Sequence, residues 1–406
     1  ELARFDVALT ATLMRYISDL HIGRVNPRRV DFLIDVNPKK YDLPKVVAAL
    51  IDESDIAGRL ETIEPRYDGY RRLRDMLVRY RALAAEGEPD PLPQARIVEP
   101  GSAWAGVPAL AAFLRRVGDL DTSFASGTYD GALVDGVKRF QERHGLDADG
   151  RIGPGTFRAL RVPLNRRVEQ IELSLERWRW APTEIEGTPI VVNIPEFRLT
   201  AYDSEMKVEL AMNVVVGKSF PSRQTPVFAD TLKFIIFRPY WYAPRSIARN
   251  EIRPKMASDP TYARRLGYEI VNGNIRQKPG PNNAMGNVKF MFPNSMNIYL
   301  HDTPGRHVFS QTRRDFSHGC VRVGNPAALA EWVLQDDPKW TPEEVGRAMH
   351  SGKENRRVNV RRAIPILIVY ATAIVRADGK IRFYEDIYGH DATLENALDG
   401  GYPYPE

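Results

Sequence analysis

The chain holds one cysteine, Cys320, among its 406 residues, so no disulfide can form within it and its cores rest on packing. Long apolar runs are also lacking. The longest, Ile364 to Ala373, falls far short of the roughly 20 residues a bilayer span needs, and it reads as a buried strand. Neither sign of charge dominates: 57 Lys and Arg stand against 52 Asp and Glu, a formal net charge of +5. That balance lacks the concentrated basic face of a nucleic-acid binder and supports no more than a weak attraction to anionic polymers. Metal-ligand spacing is missing too. No HExxH appears, and His301, His307, His318 and Cys320 fit none of the usual zinc patterns, so neither metal nor cofactor is expected. The first residue is Glu1 rather than an initiator methionine, and an export signal or membrane anchor is expected ahead of it.

What is present is ordinary for a globular protein, 43% hydrophobic and 27% charged, with length enough for two or three separate cores. The pattern predicts a multidomain α+β chain. Residues 1–103 read as helical: Val7, Leu9, Leu13, Tyr16 and Ile17 recur at helical spacing, and Leu43 to Ile51 and Tyr70 to Leu83 are further amphipathic stretches. Pro89, Pro91, Pro93 and Pro100 close this part off. A small unit follows over 104–164, with apolar stripes at Leu110, Phe113, Leu114 and at Leu133, Val137, Phe140, then a turn at Asp149-Gly150 and a short helix after Gly153-Pro154. Arg166 to Trp180 is strongly helical again, with Val168, Ile171, Leu175 and Trp178 on one face. Its return to the first helices would make 104–164 an insertion in a scaffold of residues 1–103 and 165–186.

From Pro189 the period changes to short β-type runs, beginning with Ile190 to Ile194 and Phe197 to Tyr202. This predicts a β-rich domain over 187–380, with residues 381–406 as a C-terminal extension. Between 244 and 286 the β pattern stops. That charged stretch has helical patches near Ile247 to Met256 and Thr261 to Leu266, and reads either as a lid over a site or as a stabilising excursion.

The segment Asn297 to Gly324, NIYLHDTPGRHVFSQTRRDFSHGCVRVG, holds the chemistry. As a strand, Asn297 to His301 puts Ile298 and Leu300 in the core and Tyr299 and His301 on the opposite face. His301 then sits where Asp302-Thr303-Pro304-Gly305 breaks the strand. Ser317-His318-Gly319 predicts a tight turn before Cys320, where amides around Gly319 and Cys320 can aim at one oxyanion. A neighbouring imidazole can activate the thiol. His301 is the better base, because His318 lies two positions before Cys320 on a turn and cannot readily face the sulfur. Asp302 is a candidate to orient His301 through its carbonyl or its carboxylate.

These residues resemble a known family. SHGCVR, preceded by YLHDTP, is similar to the signature of the L,D-transpeptidase catalytic domain, and Gln224-Thr225-Pro226, Pro239-Tyr240-Trp241 and Pro279-Gly280-Pro281 agree. VKRFQERHGLDADGRIGPGTFRAL resembles a three-helix peptidoglycan-binding domain, which would be the unit 104–164. The resemblance implies Cys320 as nucleophile, His301 as base and the Gly319 and Cys320 amides as oxyanion donors. It also implies substrate contacts from Arg322, His318, Tyr299, Ser317, Asp302 and Trp241, with a buried ion pair the alternative for Arg322 and core packing for Trp241. The implied activity is 3→3 cross-linking of peptidoglycan stem peptides through a thioester, with D-Ala released. Water as acceptor (an L,D-carboxypeptidase or endopeptidase) and attachment or release of a wall lipoprotein are the alternatives. Periplasmic location, a monomeric state and carbapenem-type β-lactams as covalent inhibitors follow from the same likeness.

Overall fold

A computed structural model describes residues 1–36, 39–51, 53–121 and 127–401. The chain divides into two compact units, Glu1–Thr183 joined by the residues from Tyr370 onward, and Glu184–Val369.

The first unit is mainly helical: α1 (Leu2–Ile22), a two-residue strand β1 (Phe32–Leu33), α2 (Leu43–Ile51), α3 (Ile56–Glu61), α4 (Asp68–Ala85), α5 (Val107–Val117), α6 (Gly131–Arg143), α7 (Pro154–Leu160) and α8 (Leu164–Arg179). Helical periodicity places Tyr70, Leu73, Leu77 and Tyr80 on one face of α4, and they bury against Ile171 and Leu175 of α8. Each such side chain contributes about 1.5–3 kcal/mol on leaving water. α8 therefore does return to the first helices.

Between them, α5, α6 and α7 enclose a core of their own around Leu110, Leu114, Leu133, Val137, Phe140 and Phe157. The buried Gln141 side chain organises the Asp149-Gly150 turn: it donates to the Arg151 carbonyl (2.9 Å) and accepts from the Gly150 amide (2.9 Å). This core begins earlier than the expected boundary at residue 104. Val98 is buried in it and bridges Ile152, and Leu92 and Ala95 pack on its edge.

A second boundary moves as well. The hairpin of Ala373–Val375 and Ile381–Phe383 was expected to be divided between the β-rich domain and the C-terminal extension. Instead Ala373, Val375, Ile381 and Phe383 bury among the α4 and α8 side chains. Gln170 of α8 donates to the Thr372 and Tyr384 carbonyls (3.0 and 2.9 Å), so this segment belongs to the helical unit. The extension continues as the helix His390–Asp399, and its last five positions, 402–406, lie outside the described residues.

The second unit is built on one sheet. Its strands are β2 (Ile190–Asn193), β3 (Arg198–Tyr202), β4 (Val208–Gly217), β5 (Val227–Phe237), β9 (Val288–Met291), β10 (Leu300–His301), β12 (Val321–Val323) and β13 (Arg356–Val369). Pairings run β2–β3–β4–β12–β10–β9–β5–β13 and return to β2, so the sheet closes on itself. Period-two alternation turns Ile190, Leu199, Val214, Ile235, Phe290, Leu300, Val321 and Ile366 inward, where all are buried. A further short strand, β11 (Asp315–Ser317), joins β4 in parallel.

The 244–286 segment is not free of β structure. β6 (Trp241–Tyr242), β7 (Tyr268–Val271) and β8 (Asn274–Gln277) form a separate sheet, alongside helices α9 (Arg245–Ile247), α10 (Arg253–Ser258) and α11 (Tyr262–Leu266) and a π-helical turn, Ala248–Ile252. The β7–β8 hairpin turns on Asn272 (φ 48°) and Gly273 (φ 78°), the paired positive dihedrals of a type I′ turn. The Asn-Gly dipeptide is the signal the helical reading of this stretch passed over.

Candidate active site

Register builds the site. β10 pairs with β9 and β12 so that His301 lies opposite Lys289 on one side and Arg322 on the other. Leu300, opposite Phe290 and Val321, points with them into the core. One face of three short strands thus presents Lys289, His301 and Arg322 in a row, and the residue before β12 is Cys320. The Val321 amide donates to the Tyr299 carbonyl (3.1 Å), fixing the two strand ends against each other.

The Ser317–Cys320 turn is held by its own hydroxyl. Ser317 Oγ accepts from the Gly319 amide (3.1 Å) and donates to the Cys320 carbonyl (2.6 Å). Thr225 Oγ1 donates to the Gly319 carbonyl (2.7 Å) while accepting from the Gly217 amide (2.8 Å). Gly319 adopts φ +117°, a left-handed conformation that side-chain-bearing residues rarely enter. Because Ser317 occupies the Gly319 amide, the Cys320 amide is the one without a hydrogen-bond partner among the described residues.

Cys320 is the chain's free cysteine and is partly exposed. Its thiol donates to the Asn297 carbonyl at 3.6 Å, rather than to His301. Asn294 shapes the loop that presents this carbonyl: its Oδ1 accepts from the Met296 and Ile298 amides, each at 3.1 Å. Burial pushes the Cys320 thiol up from its ordinary value, and hydrogen bonds from Tyr299 and the charges of Lys289 and Arg322 oppose that rise. Burial drives His301 down to about 3, with the Arg322 and Lys289 charges adding to the effect. The resting pair is therefore a neutral thiol and a neutral imidazole. His301 Nδ1–H is assigned as donor to the Asp302 carbonyl (2.5 Å), which leaves Nε2 unprotonated and able to accept.

The other expected site residues separate into those near the sulfur and those elsewhere. Tyr299 hydrogen-bonds Cys320, its ring lies 5.8 Å from that of His301, and Lys289 Nζ sits 3.6 Å from its centroid. Arg322 is largely withdrawn from water, which lowers its pKa, while the neighbouring Cys320 works the other way. His318 does not face the sulfur; its Nε2 meets Glu251 Oε1 of the π-helical turn at 3.0 Å. Asp302 is 6% exposed, and its carboxylate accepts from the Asn287 and Thr303 amides (2.8 and 2.7 Å) and pairs with Arg306. Those bonds use its oxygens to brace the strand end, so the carbonyl orients His301 and the carboxylate is not offered to substrate. Trp241 packs against Ala248, Ile252 and Ile275 in the core of the 241–277 sheet and helices, the packing alternative for that residue.

Lys289, Asn294, Asn297, Thr225 and Glu251 escaped the reading of the sequence as site residues. Thr225 lies in the quoted Gln224-Thr225-Pro226 segment without a role being assigned to it, and Lys289 left its place in the alternating run Val288 to Met291, which becomes meaningful once the strand is paired with His301. Among the described residues no three His, Cys, Asp or Glu side chains gather as a metal-ligand set.

Comparison with known proteins follows the same division of the chain. The L,D-transpeptidase catalytic domain family matches residues 188–359, a "Scaffold domain" matches 1–77 and a "Putative peptidoglycan binding domain" matches 105–160. A Haemophilus influenzae protein described as "Putative L,D-transpeptidase" is 33% identical over 251 residues, covering 56% of this chain. The chain spans about half that relative's length, 49%. Among solved structures, an L,D-transpeptidase from Xylanimonas cellulosilytica is 17% identical, with 69% of this chain and 100% of that one covered and a TM-score of 0.23. One from Stackebrandtia nassauensis is 14% identical, with 69% and 97% covered and a TM-score of 0.26.

Proposed function

We propose that the protein cross-links peptidoglycan stem peptides by acyl transfer through Cys320, a reading supported by the match of residues 188–359 to the L,D-transpeptidase catalytic domain family beside matches to peptidoglycan-binding and scaffold domains. The observation that supports this most is the register that sets His301 between Lys289 and Arg322 at the strand ends beside Cys320. As Cys320 Sγ attacks the carbonyl at the L-centre of the diamino acid in a tetrapeptide stem, His301 Nε2 takes the thiol proton. Lys289 and Arg322 favour the sulfur's developing negative charge, while the Cys320 amide is available to the oxyanion. The tetrahedral intermediate collapses as His301 returns the proton to the departing D-alanine amine, leaving a thioester. An amine from a second stem then attacks, His301 accepts its proton, the sulfur leaves and is reprotonated, and a 3→3 cross-link results.

The contact between Glu251 and His318 supports reading the 244–286 segment as a lid resting on the catalytic turn. Both peptidoglycan-related domains suit a cell-envelope protein, and we assign the reaction to the periplasm, carried out by a monomer. No described helix is long and apolar enough to cross a membrane.

Incubation with purified disaccharide-tetrapeptide tests the assignment. Dimer and free D-alanine are expected from the wild type and neither from Cys320→Ala; free tripeptide without dimer would instead establish hydrolysis. Mass spectrometry after exposure to a carbapenem should find one adduct, on Cys320.

A further inference from the structure

Charge that is nearly balanced over the whole chain is not balanced locally. Residues 244–286 hold eight Lys and Arg against three Asp and Glu, a net charge of +5, so this one stretch accounts for all of the chain's formal charge. Its three acids are already engaged. Glu251 meets His318 (3.0 Å), Asp259 pairs with Arg265 (3.0 Å), and Glu269 is shared by Arg276 and Lys278. Arg245, Arg249, Arg253, Lys255 and Arg264 are left over, all exposed and with no carboxylate within ion-pair distance among the described residues. Three of them form a row. α9, the π-helical turn and α10 run end to end from Arg245 to Ser258, and Arg245, Arg249 and Arg253 recur every four positions along about 12 Å of that helix. The same helix turns Ala248 and Ile252 into the core of the segment and Glu251 toward the catalytic turn, so the row occupies a remaining, solvent-facing side. Arg253 Nη2 reaches the Gly273 carbonyl (3.4 Å), which joins the row to the β7–β8 hairpin. That hairpin leaves Ile270 60% exposed, and Tyr242, three positions ahead of the row, is 61% exposed.

Unpaired guanidiniums beside an exposed isoleucine and an exposed tyrosine suit a charged bilayer surface. The cations meet lipid phosphates, and the apolar side chains enter the headgroup layer. We propose that this outer face of the 244–286 segment docks on a membrane surface bearing anionic phospholipids. A soluble acidic partner would account for the arginines but not for Ile270 and Tyr242. The docking face uses none of the residues assigned to acyl transfer, which lie on the Glu251 side of the helix, so it stands or falls separately from that reaction.

The test is cosedimentation of the full chain with lipid vesicles. Phosphatidylcholine vesicles containing phosphatidylglycerol should carry the chain down, and pure phosphatidylcholine vesicles should not. Each basic side chain near an anionic leaflet raises partitioning roughly 5-fold, so Arg245→Gln, Arg249→Gln and Arg253→Gln combined should weaken it by about 100-fold. Because the row is exposed, this variant should keep the wild-type unfolding midpoint. Lys255→Gln with Arg264→Gln is a second variant, expected to lose about 25-fold. Ile270→Ser should lose about 5-fold on the same vesicles, an effect that charge alone would not produce. The proposal is overturned if neutral vesicles bind as well as anionic ones, if the folded cation variants sediment like their parent, or if Ile270→Ser binds undiminished. Displacement from the vesicles by polyglutamate at equal charge would also overturn it, and would assign the row to an acidic protein.

Discussion

Cations withdrawn from water are treated differently in the two units. In the helical unit Arg143 reaches Asp119 at 2.6 Å and Arg177 reaches Asp391 at 2.5 Å, with all four side chains less than a tenth exposed. Arg167, which has no carboxylate partner among the described residues, is met by Gln170 and the Ala159 carbonyl, and burial lowers it to about 10. At the catalytic site burial lowers both Lys289 and Arg322, and no carboxylate lies within ion-pair distance of either among the described residues; the charge that favours their protonated forms is that of Cys320. A buried cation matched to an acid or, like Arg167, to neutral acceptors is structure; Lys289 and Arg322 differ in lying beside a sulfur on which negative charge can form. In the proposed mechanism the same two cations favour the Cys320 thiolate, and burial, with their charges adding to it, keeps His301 neutral and able to accept the thiol proton.

The contrast can be broken from its paired side first. Asp119→Ala strands Arg143 without its carboxylate and should destabilise the helical unit by about 3–5 kcal/mol, measured by urea unfolding. A loss under about 1 kcal/mol would remove the distinction. Acid gives the next largest effect. The pKa of His301 is depressed to about 3 in the fold from 6.5, so the unfolded chain binds the proton first and the stability it contributes, present above pH 6.5, is lost as pH falls toward 3. Between pH 6.5 and 5 that amounts to about 1.5 kcal/mol, read from unfolding midpoints, and His301→Gln should flatten the slope. His390, held at about 4 in the helical unit, acts in the same direction.

On the unpaired side, Lys289→Met should leave stability close to wild type and raise the Cys320 pKa by about one unit, slowing iodoacetamide alkylation near neutral pH by about 10-fold. An unshifted pH profile would show that Lys289 is only packing on Tyr299. The smallest effect belongs to the exposed pair. Glu251→Ala should cost under about 1 kcal/mol of stability, and its consequence should appear instead as faster access of alkylating agents to Cys320.

Much of the architecture was legible because periodicity survives in a single sequence. Tyr70, Leu73, Leu77 and Tyr80 announce a helix face. The strand expected over Asn297–His301 is shorter than its alternation suggests: only Leu300–His301 pairs, because Asn297 (φ 55°) sits in the Asn294 loop, and His301 is buried along with Leu300. What one chain segment cannot announce is which other segment it pairs with. Lys289 joined the site through cross-strand register, and the 373–383 hairpin joined the helical unit through contacts with α4 and α8. Asp302 was visible as a neighbour of His301, yet the division of labour between its carbonyl and carboxylate depended on where the Asn287 and Thr303 amides fell. Asn272-Gly273 was readable and was outweighed by the helical patches on either side of it.

The pairing of β10 with β12 spans only Leu300↔Val321 and His301↔Arg322. A slip of one residue would exchange the two faces, moving the His301 imidazole and the Arg322 guanidinium among the apolar side chains of the core and turning Leu300 and Val321 toward Cys320's side of the sheet. The energetic penalty of placing those polar groups in the barrel's interior acts as a proofreading step on assembly: the packing that keeps the fold intact rejects the very misalignment that would silence it. The proposed activity thus depends on the hydrophobic pattern, and substitutions at Leu300 or Val321 are expected to lower it without touching a reacting atom.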